Sequence, residues 1–159
     1  MITTDQTVDD LLAEAAGLIF PAFDEDAAWR LGTALVALSR AENLGVVINI
    51  RTANRTLFHA GLPGSGPTND NWARRKSNTC LMFQEASLLV GTRNRIRGQT
   101  LADQGLDNTD YADHGGAVPI CVAGAGMVAV ATVSGLPQRD DHALVVRALR
   151  ALITSVPPQ

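Results

Sequence analysis

The chain has 159 residues, 46% of them hydrophobic, and a formal net charge of −3. That length fits one domain whose core buries roughly two thirds or more of the surface exposed by the unfolded chain, and the acidic balance argues against a phosphate-backbone binder, which needs a dominant basic face. No apolar run reaches the roughly 20 residues of a membrane span, because Arg30, Arg40 and Arg51 interrupt the richest segments.

Residues 1–17, MITTDQTVDDLLAEAAG, are expected to form a helical segment ahead of the domain at 18–157; they carry acids where a secretory signal carries positive charge, so the cytoplasm is the expected compartment. LIFPAF, residues 18–23, reads as a short strand that Pro21 confines to an edge. Asp24 is an N-cap candidate. The stretch that follows, to Gly45, places Ala27, Leu31, Ala34, Leu35 and Leu38 on one face of a helix with acids in its first turn. VVINIR, residues 46–51, is a β-branched strand. TANR turns into TLFHAGLP, where Leu57 and His59 share one face and Phe58 takes the other. GLPGSGPTND, residues 61–70, is a loop, and Thr68, Asn69 or Asp70 is expected to cap a helix starting near Trp72. LLVGTRNRIRG continues that helix past a kink or begins another, and Gly91 leaves both readings open.

Residues 99–116 lack a period and form a long loop, of the length often used for lids and binding segments. AVPICV and MVAVATVSG flank AGAG, and the alternation of Val128, Val130 and Thr132 with Ala129, Ala131 and Val133 marks strands. VAGAGMVA matches the GxGxxA dinucleotide fingerprint, but that fingerprint needs glycines that close a strand and open a helix. Here a strand follows, so a hairpin turn at Gly124–Gly126 is the expectation. LPQRDDHALVVRALRALI closes the chain as a helix with Leu144, Ala148, Leu149 and Leu152 facing inward. Two hairpins joined by helices predict an α/β fold of the α+β type, with an antiparallel sheet of about five strands flanked by helices.

Polar residues cluster at element ends. No HExxH or HxH spacing exists, so no metal site is expected, and Ser134 lacks the GxSxG elbow of a nucleophile. Cys80 and Cys121 form no CxxC pair and read as small buried apolar residues. His142 falls in the first turn of the last helix, where a solvated or capping role is expected, and His59 reads as a satisfied histidine at the core edge. Arg74, Arg75 and Lys76, the last being the only lysine, form either a solvated face or an anion site; Trp72 on the same side sets an indole beside cations, as a flat anion would need. His114 precedes Gly115 and Gly116, which suits a tight turn and equally a titrating or ligating imidazole beside open space. The candidate ligand-binding set is His59, Asp70, Trp72, Arg75, Lys76, His114, Gly115, Gly116 and Ser134, converging at one end of the sheet.

FDEDAAWRLG, LFHAGLPGSGPTNDNWARRKSNTCLMF, LADQGLDNTDYADHGGAVPI and VSGLPQRDDHALVV resemble, in order, the signature blocks of the UPF0303 family within the haem-degrading-domain (HbpS-like) superfamily. The resemblance spans about residues 18 to 152. It implies a profilin-like, HbpS-like fold, a tendency to form homo-oligomers, and haem as the cofactor to test. The matching polar positions are His59, Asn69, Asp70, Trp72, Arg75, Lys76, Asp113, His114, Gly115, Gly116, Ser134, Gln138, Asp141 and His142. Three functions follow as expectations: a small oligomeric module binding an anionic or planar small molecule, a haem-binding or haem-degrading redox enzyme with His114 as ligand or acid/base, and an assembly module without catalysis. Nucleic acid and membrane are not expected partners.

Overall fold

The computed structural model describes residues 5–155. In chain order the elements are α1 (Val8–Ala16), β1 (Ile19–Phe20), α2 (Glu25–Ala41), β2 (Val47–Arg51), β3 (Thr56–Gly61), α3 (Pro67–Phe83), α4 (Ser87–Arg97), a 3-10 turn (Ala102–Gln104), β4 (Ala117–Val122), β5 (Gly126–Ser134) and α5 (Gln138–Ser155). The five strands lie in the order β1-β4-β5-β2-β3. Both expected hairpins, β2–β3 and β4–β5, are present, and β2 also pairs antiparallel with β5.

One expectation is corrected. The sheet is mixed, because β1 runs parallel to β4 through Ile19↔Cys121 and Phe20↔Val122. A tight turn forces antiparallel pairing only on the strands it joins; β1 reaches β2 through the whole of α2, so nothing local fixes its direction.

Alternation divides the sheet into two different faces. Ile48, Ile50, Val118, Ile120, Ala129, Ala131 and Val133 point toward α2 and α5, where they pack with Leu31, Leu35, Val145 and Leu149 in the main core. Each large aliphatic side chain buried there contributes about 1.5–3 kcal/mol. α2 is fixed at its start by Asp24, whose Oδ1 accepts from the Ala27 amide at 2.8 Å, and its predicted stripe faces the core, with Ala34 and Leu38 half-buried. The opposite face of the sheet carries α3.

β3 departs from simple alternation. The register slips between Ile50, opposite Phe58, and Arg51, opposite Thr56. Leu57 is the extra residue of this bulge, and it packs with Phe58 against the main core. His59 therefore does not share a face with Leu57: it lies opposite Asn49 on the α3 side. Bulges re-aim side chains in this way.

Two helix boundaries also differ from expectation. α3 begins at Pro67 rather than near Trp72, with Gly66 at the N-cap and the Asn69 side chain accepting the Gly66 amide at 2.9 Å. Proline at the first helical position has no amide to lose and a preset φ, so Thr68, Asn69 and Asp70 lie within the first turn, from which the Asn69 side chain reaches back to the N-cap. Further on, the chain breaks at Gln84, which takes a left-handed conformation with φ 57°, and α4 starts separately at Ser87. Gly91 sits inside α4 because the 113–116 turn presses on it: a Cβ there would lie 1.8 Å from the Asp113 carbonyl oxygen.

Among the described residues no helix is long and apolar enough to cross a membrane.

Candidate functional site

Loop 99–116 is strapped along α3 by the basic residues that looked free in the sequence. Arg74 donates to the Thr109 carbonyl at 2.7 Å and to Asp110 at 2.9 Å. The Arg75 Nε donates to the Asn108 carbonyl at 2.7 Å. Asn78 donates to the Asp110 carbonyl, and the Ala112 amide donates to the Thr79 hydroxyl. The expectation of a solvated face on this helix gives way to a fastener: arginine carries enough donors to satisfy loop carbonyls that have no secondary-structure partner.

That fastening sets up an aromatic wall. The Arg75 guanidinium lies 4.5 Å from the centroid of Trp72, and Trp72 meets the His114 ring edge to face at 5.1 Å. Behind them a hollow of about 230 Å³ is lined by Asn69, Trp72, Lys76, His114, Ser134, Gly135, Leu136, Gln138 and Asp141.

Lys76 is buried at the base of this hollow, its Nζ 2.9 Å from Asp141 Oδ2, with side chains 4% and 1% exposed. The ammonium also donates to the Val133 carbonyl at 3.3 Å, and Asp141 accepts the Gly135 and Leu136 amides. Such a pair is tolerable in the interior only when the remaining donors and acceptors are satisfied in this way. Burial pushes the Asp141 carboxyl above its ordinary pKa, with Lys76 and the two amides opposing the shift. Gly116 makes the arrangement possible: its φ is +140°, and a Cβ would stand 2.4 Å from the Val133 carbonyl oxygen and 2.8 Å from Lys76 Nζ. Only glycine adopts that backbone at low cost. Gly115 donates its amide to Gln138 Oε1 at 3.0 Å, tying the histidine turn to the start of α5.

His114 itself is half exposed. Burial lowers its proton affinity, and Arg95, Lys76 and Arg75 lower it further against the opposing pull of Asp113. The Asp113 carboxylate is held by Asn94 at 2.9 Å and lies 3.8 Å from the imidazole. The ring is thus presented neutral, beside an indole and in a field where cations outnumber acids. The Ser134 hydroxyl, on the wall of the same hollow, has no hydrogen-bond partner among the described residues.

Of the nine residues expected to converge, Trp72, Lys76, His114 and Ser134 line this hollow; Gly115 and Gly116 shape its turn, and Arg75 backs the indole. His59 and Asp70 do not join them. They lie on the other flank of α3, in a separate groove of about 480 Å³. The His59 ring bridges the two sides of the groove, with Nε2 3.0 Å from Asp70 Oδ1 and Nδ1 3.1 Å from the Asn49 side-chain amide.

His142, expected to be solvated or capping, is buried, and its Nε2 donates to Glu14 of α1 at 2.6 Å. α1 folds back over α4 and covers it, a contact 128 positions away that local pattern does not carry. Asp141 and Gln138 were absent from the expected binding set. The available signal was that the only lysine needs an acid if buried, and the acids of the first turn of α5 were the nearest to a strand end.

A profile of the family described as "Haem degrading protein HbpS-like" matches residues 23–150. The chain belongs to the HbpS-like family. Within it, a UPF0303 protein of Paraburkholderia xenovorans is 48% identical over 142 residues, covering 89% of this chain and 86% of the relative. The crystal structure of the Ybr137w protein superposes with a TM-score of 0.86 at 28% identity, over 95% of this chain and 90% of that one. A PduOC:haem complex superposes with a TM-score of 0.67 at 17% identity, over 85% and 96%.

Proposed function

We propose that this HbpS-like chain is a binding domain for a small planar, anionic molecule, seated in the hollow between Trp72, His114 and the start of α5. The observation that carries this reading is His114: a half-exposed imidazole standing edge-on to an indole, its proton affinity lowered first by burial, with Arg95, Lys76 and Arg75 acting against Asp113. The indole offers a flat apolar surface and Ser134 a hydroxyl on the wall, and Arg75 beside the indole places a cation at the rim for a negatively charged guest. At about 230 Å³ the hollow is smaller than the roughly 300–1,000 Å³ of pockets that enclose drug-sized ligands. It encloses a small molecule or one edge of a larger one.

Haem belongs to this ligand class, and the donor set fits it. His114 is the side chain that would furnish an axial nitrogen, with Arg95 close enough to influence it electrostatically. Bound haem would supply one-electron and oxygen chemistry; the protein's part is to orient the ring against Trp72 and to keep His114 unprotonated. The description of the family and the PduOC:haem complex support this second reading.

Titration separates the two. Haem should produce a saturable Soret shift at one equivalent per chain, lost in His114→Ala, whereas metal-free protoporphyrin should bind wild type and His114→Ala alike and weaken in Trp72→Ala. An unchanged haem spectrum in His114→Ala removes the axial role, and porphyrin binding indifferent to Trp72→Ala removes the pocket.

In this reading the protein acts in the cytoplasm as a homo-oligomer. Its cysteines, Cys80 and Cys121, are free thiols, as a reducing compartment favours. Trp29 is 63% exposed and stands edge-on to Phe58 of the outer strand β3, an apolar surface suited to a second copy. A monomeric mass by light scattering would remove the oligomer.

A further inference from the structure

The groove on the other flank of α3 contains an arginine with no acid. Arg51 leaves the end of β2 half-buried, donates Nε to Ser77 Oγ at 2.9 Å and Nη2 to Asn78 Oδ1, and reaches the Thr52 and Ala53 carbonyls with Nη1 only at 3.5 Å. No carboxylate pairs with it among the described residues, although the guanidiniums of Arg74, Arg93, Arg139 and Arg147 each have one. Burial lowers its proton affinity, the nearby Cys80 opposes this, and the neighbouring Arg74 lowers it further. Its fork is nevertheless held in one orientation by Ser77 and Asn78, and Nη1 is the weakly engaged end.

Across the groove stands the His59–Asp70 couple, its ring also held by the Asn49 side chain. The other groups on the walls are the polar Thr56, Ser77 and Asn78, the apolar Ala73, and Arg74, which pairs with Asp110. This set has two functional ends. An arginine held in place by neutral partners, with its Nη1 end only weakly engaged, can offer that end to the oxygens of a phosphoryl group. A carboxylate held by histidine, beside amides and hydroxyls, matches the hydroxyl groups of the remainder of a ligand.

We propose that the groove between β3 and α3 is a second binding site, independent of the His114 hollow, which takes a small phosphorylated, hydroxyl-rich molecule with its phosphoryl group on Arg51 and its hydroxyls on the His59–Asp70 side. The groove has no indole on its walls, unlike the aromatic wall on the opposite flank of the same helix, so one helix separates two ligand chemistries.

Calorimetric titration of the intact chain with inorganic phosphate, ribose and ribose 5-phosphate tests this, with thermal melts run alongside to verify folding. Ribose 5-phosphate should bind saturably and more tightly than inorganic phosphate, and ribose more weakly than either. Arg51→Gln should weaken both phosphorylated probes about tenfold or more. Arg51→Lys keeps the charge without the fork and should fall between Arg51→Gln and wild type. The exposed His59→Ala should weaken ribose 5-phosphate while sparing inorganic phosphate. His114→Ala, on the far flank, should change none of these. Binding that survives Arg51→Gln unchanged in a folded variant, that is lost in His114→Ala, or that never saturates in wild type overturns the proposal.

Discussion

The two faces of one sheet behave differently. Against α2 and α5, the inward positions of β2, β4 and β5 in the main core are aliphatic or alanine. Against α3, the alternate positions of the same strands include Asn49, Arg51, Thr132 and Ser134, with His59 added by the bulge in β3. The first face supplies stability through area removed from water. The second is costlier to bury, since each polar group needs a partner, and it is where both the hollow and the groove lie. Stability and specificity are thus divided between successive residues of the same strands.

The comparison can be broken most forcefully at its most expensive point. Asp141→Ala leaves Lys76 charged and alone in the interior, and should cost about 3–5 kcal/mol, read as a large fall in the denaturant midpoint. Replacing both residues with apolar side chains of similar size, Lys76→Met with Asp141→Leu, should recover most of that loss; no recovery would mean that the amide contacts of Asp141, rather than the ion pair, carry the energy. On the dry face, Leu31→Ala should cost about 2–5 kcal/mol through lost transfer energy and the cavity left behind, with ligand binding intact wherever the variant remains folded. Gly116→Ala should cost about 1–3 kcal/mol from backbone strain and should also displace Lys76, visible as altered binding in the hollow.

Acidification sharpens the contrast in a milder way. Burial and nearby cations make folded His114 a poorer proton acceptor than the same residue in the unfolded chain. The unfolded state therefore takes up the proton first as pH falls through about 6.5, so this residue's contribution to stability is present above that pH and is lost below it until the folded ring also protonates. His114→Ala should flatten this part of the stability–pH curve relative to wild type; parallel curves would contradict the neutral assignment. The smallest effect belongs to Ser134→Ala, expected within about 0.5 kcal/mol of wild type because the hydroxyl has no partner among the described residues. A ligand that contacts Ser134 would nevertheless lose affinity.

Legibility in the sequence followed the range of the interaction that decides each feature. The stripe of α2, the Asp24 cap and the hairpin that displaces a dinucleotide fingerprint are local, and each follows from spacing or turn chemistry. The joining of Trp72, Lys76 and His114 was legible as a cluster of polar residues at element ends. The exclusion of His59 and Asp70 from that cluster was not. Helical periodicity sets Asp70 and Trp72 about 200° apart around α3, and a bulge with no marker in the sequence turns His59 toward the Asp70 side. Arg51 was read only as an interruption of apolar sequence; its lack of an acidic partner is visible only when all its neighbours are in place.

The amino-acid order by itself determined the helix stripe of α2, the apolar alternation of β5 and the closing of two strand pairs as hairpins, because those features depend on residues within a turn or two of one another. Tertiary structure alone decided that β1 runs parallel to its neighbour, that the only lysine is buried against Asp141, and that α3 separates an aromatic hollow from a polar groove. These depend on contacts between segments far apart in the chain, where packing and the pairing of buried charge, rather than local preference, select the arrangement.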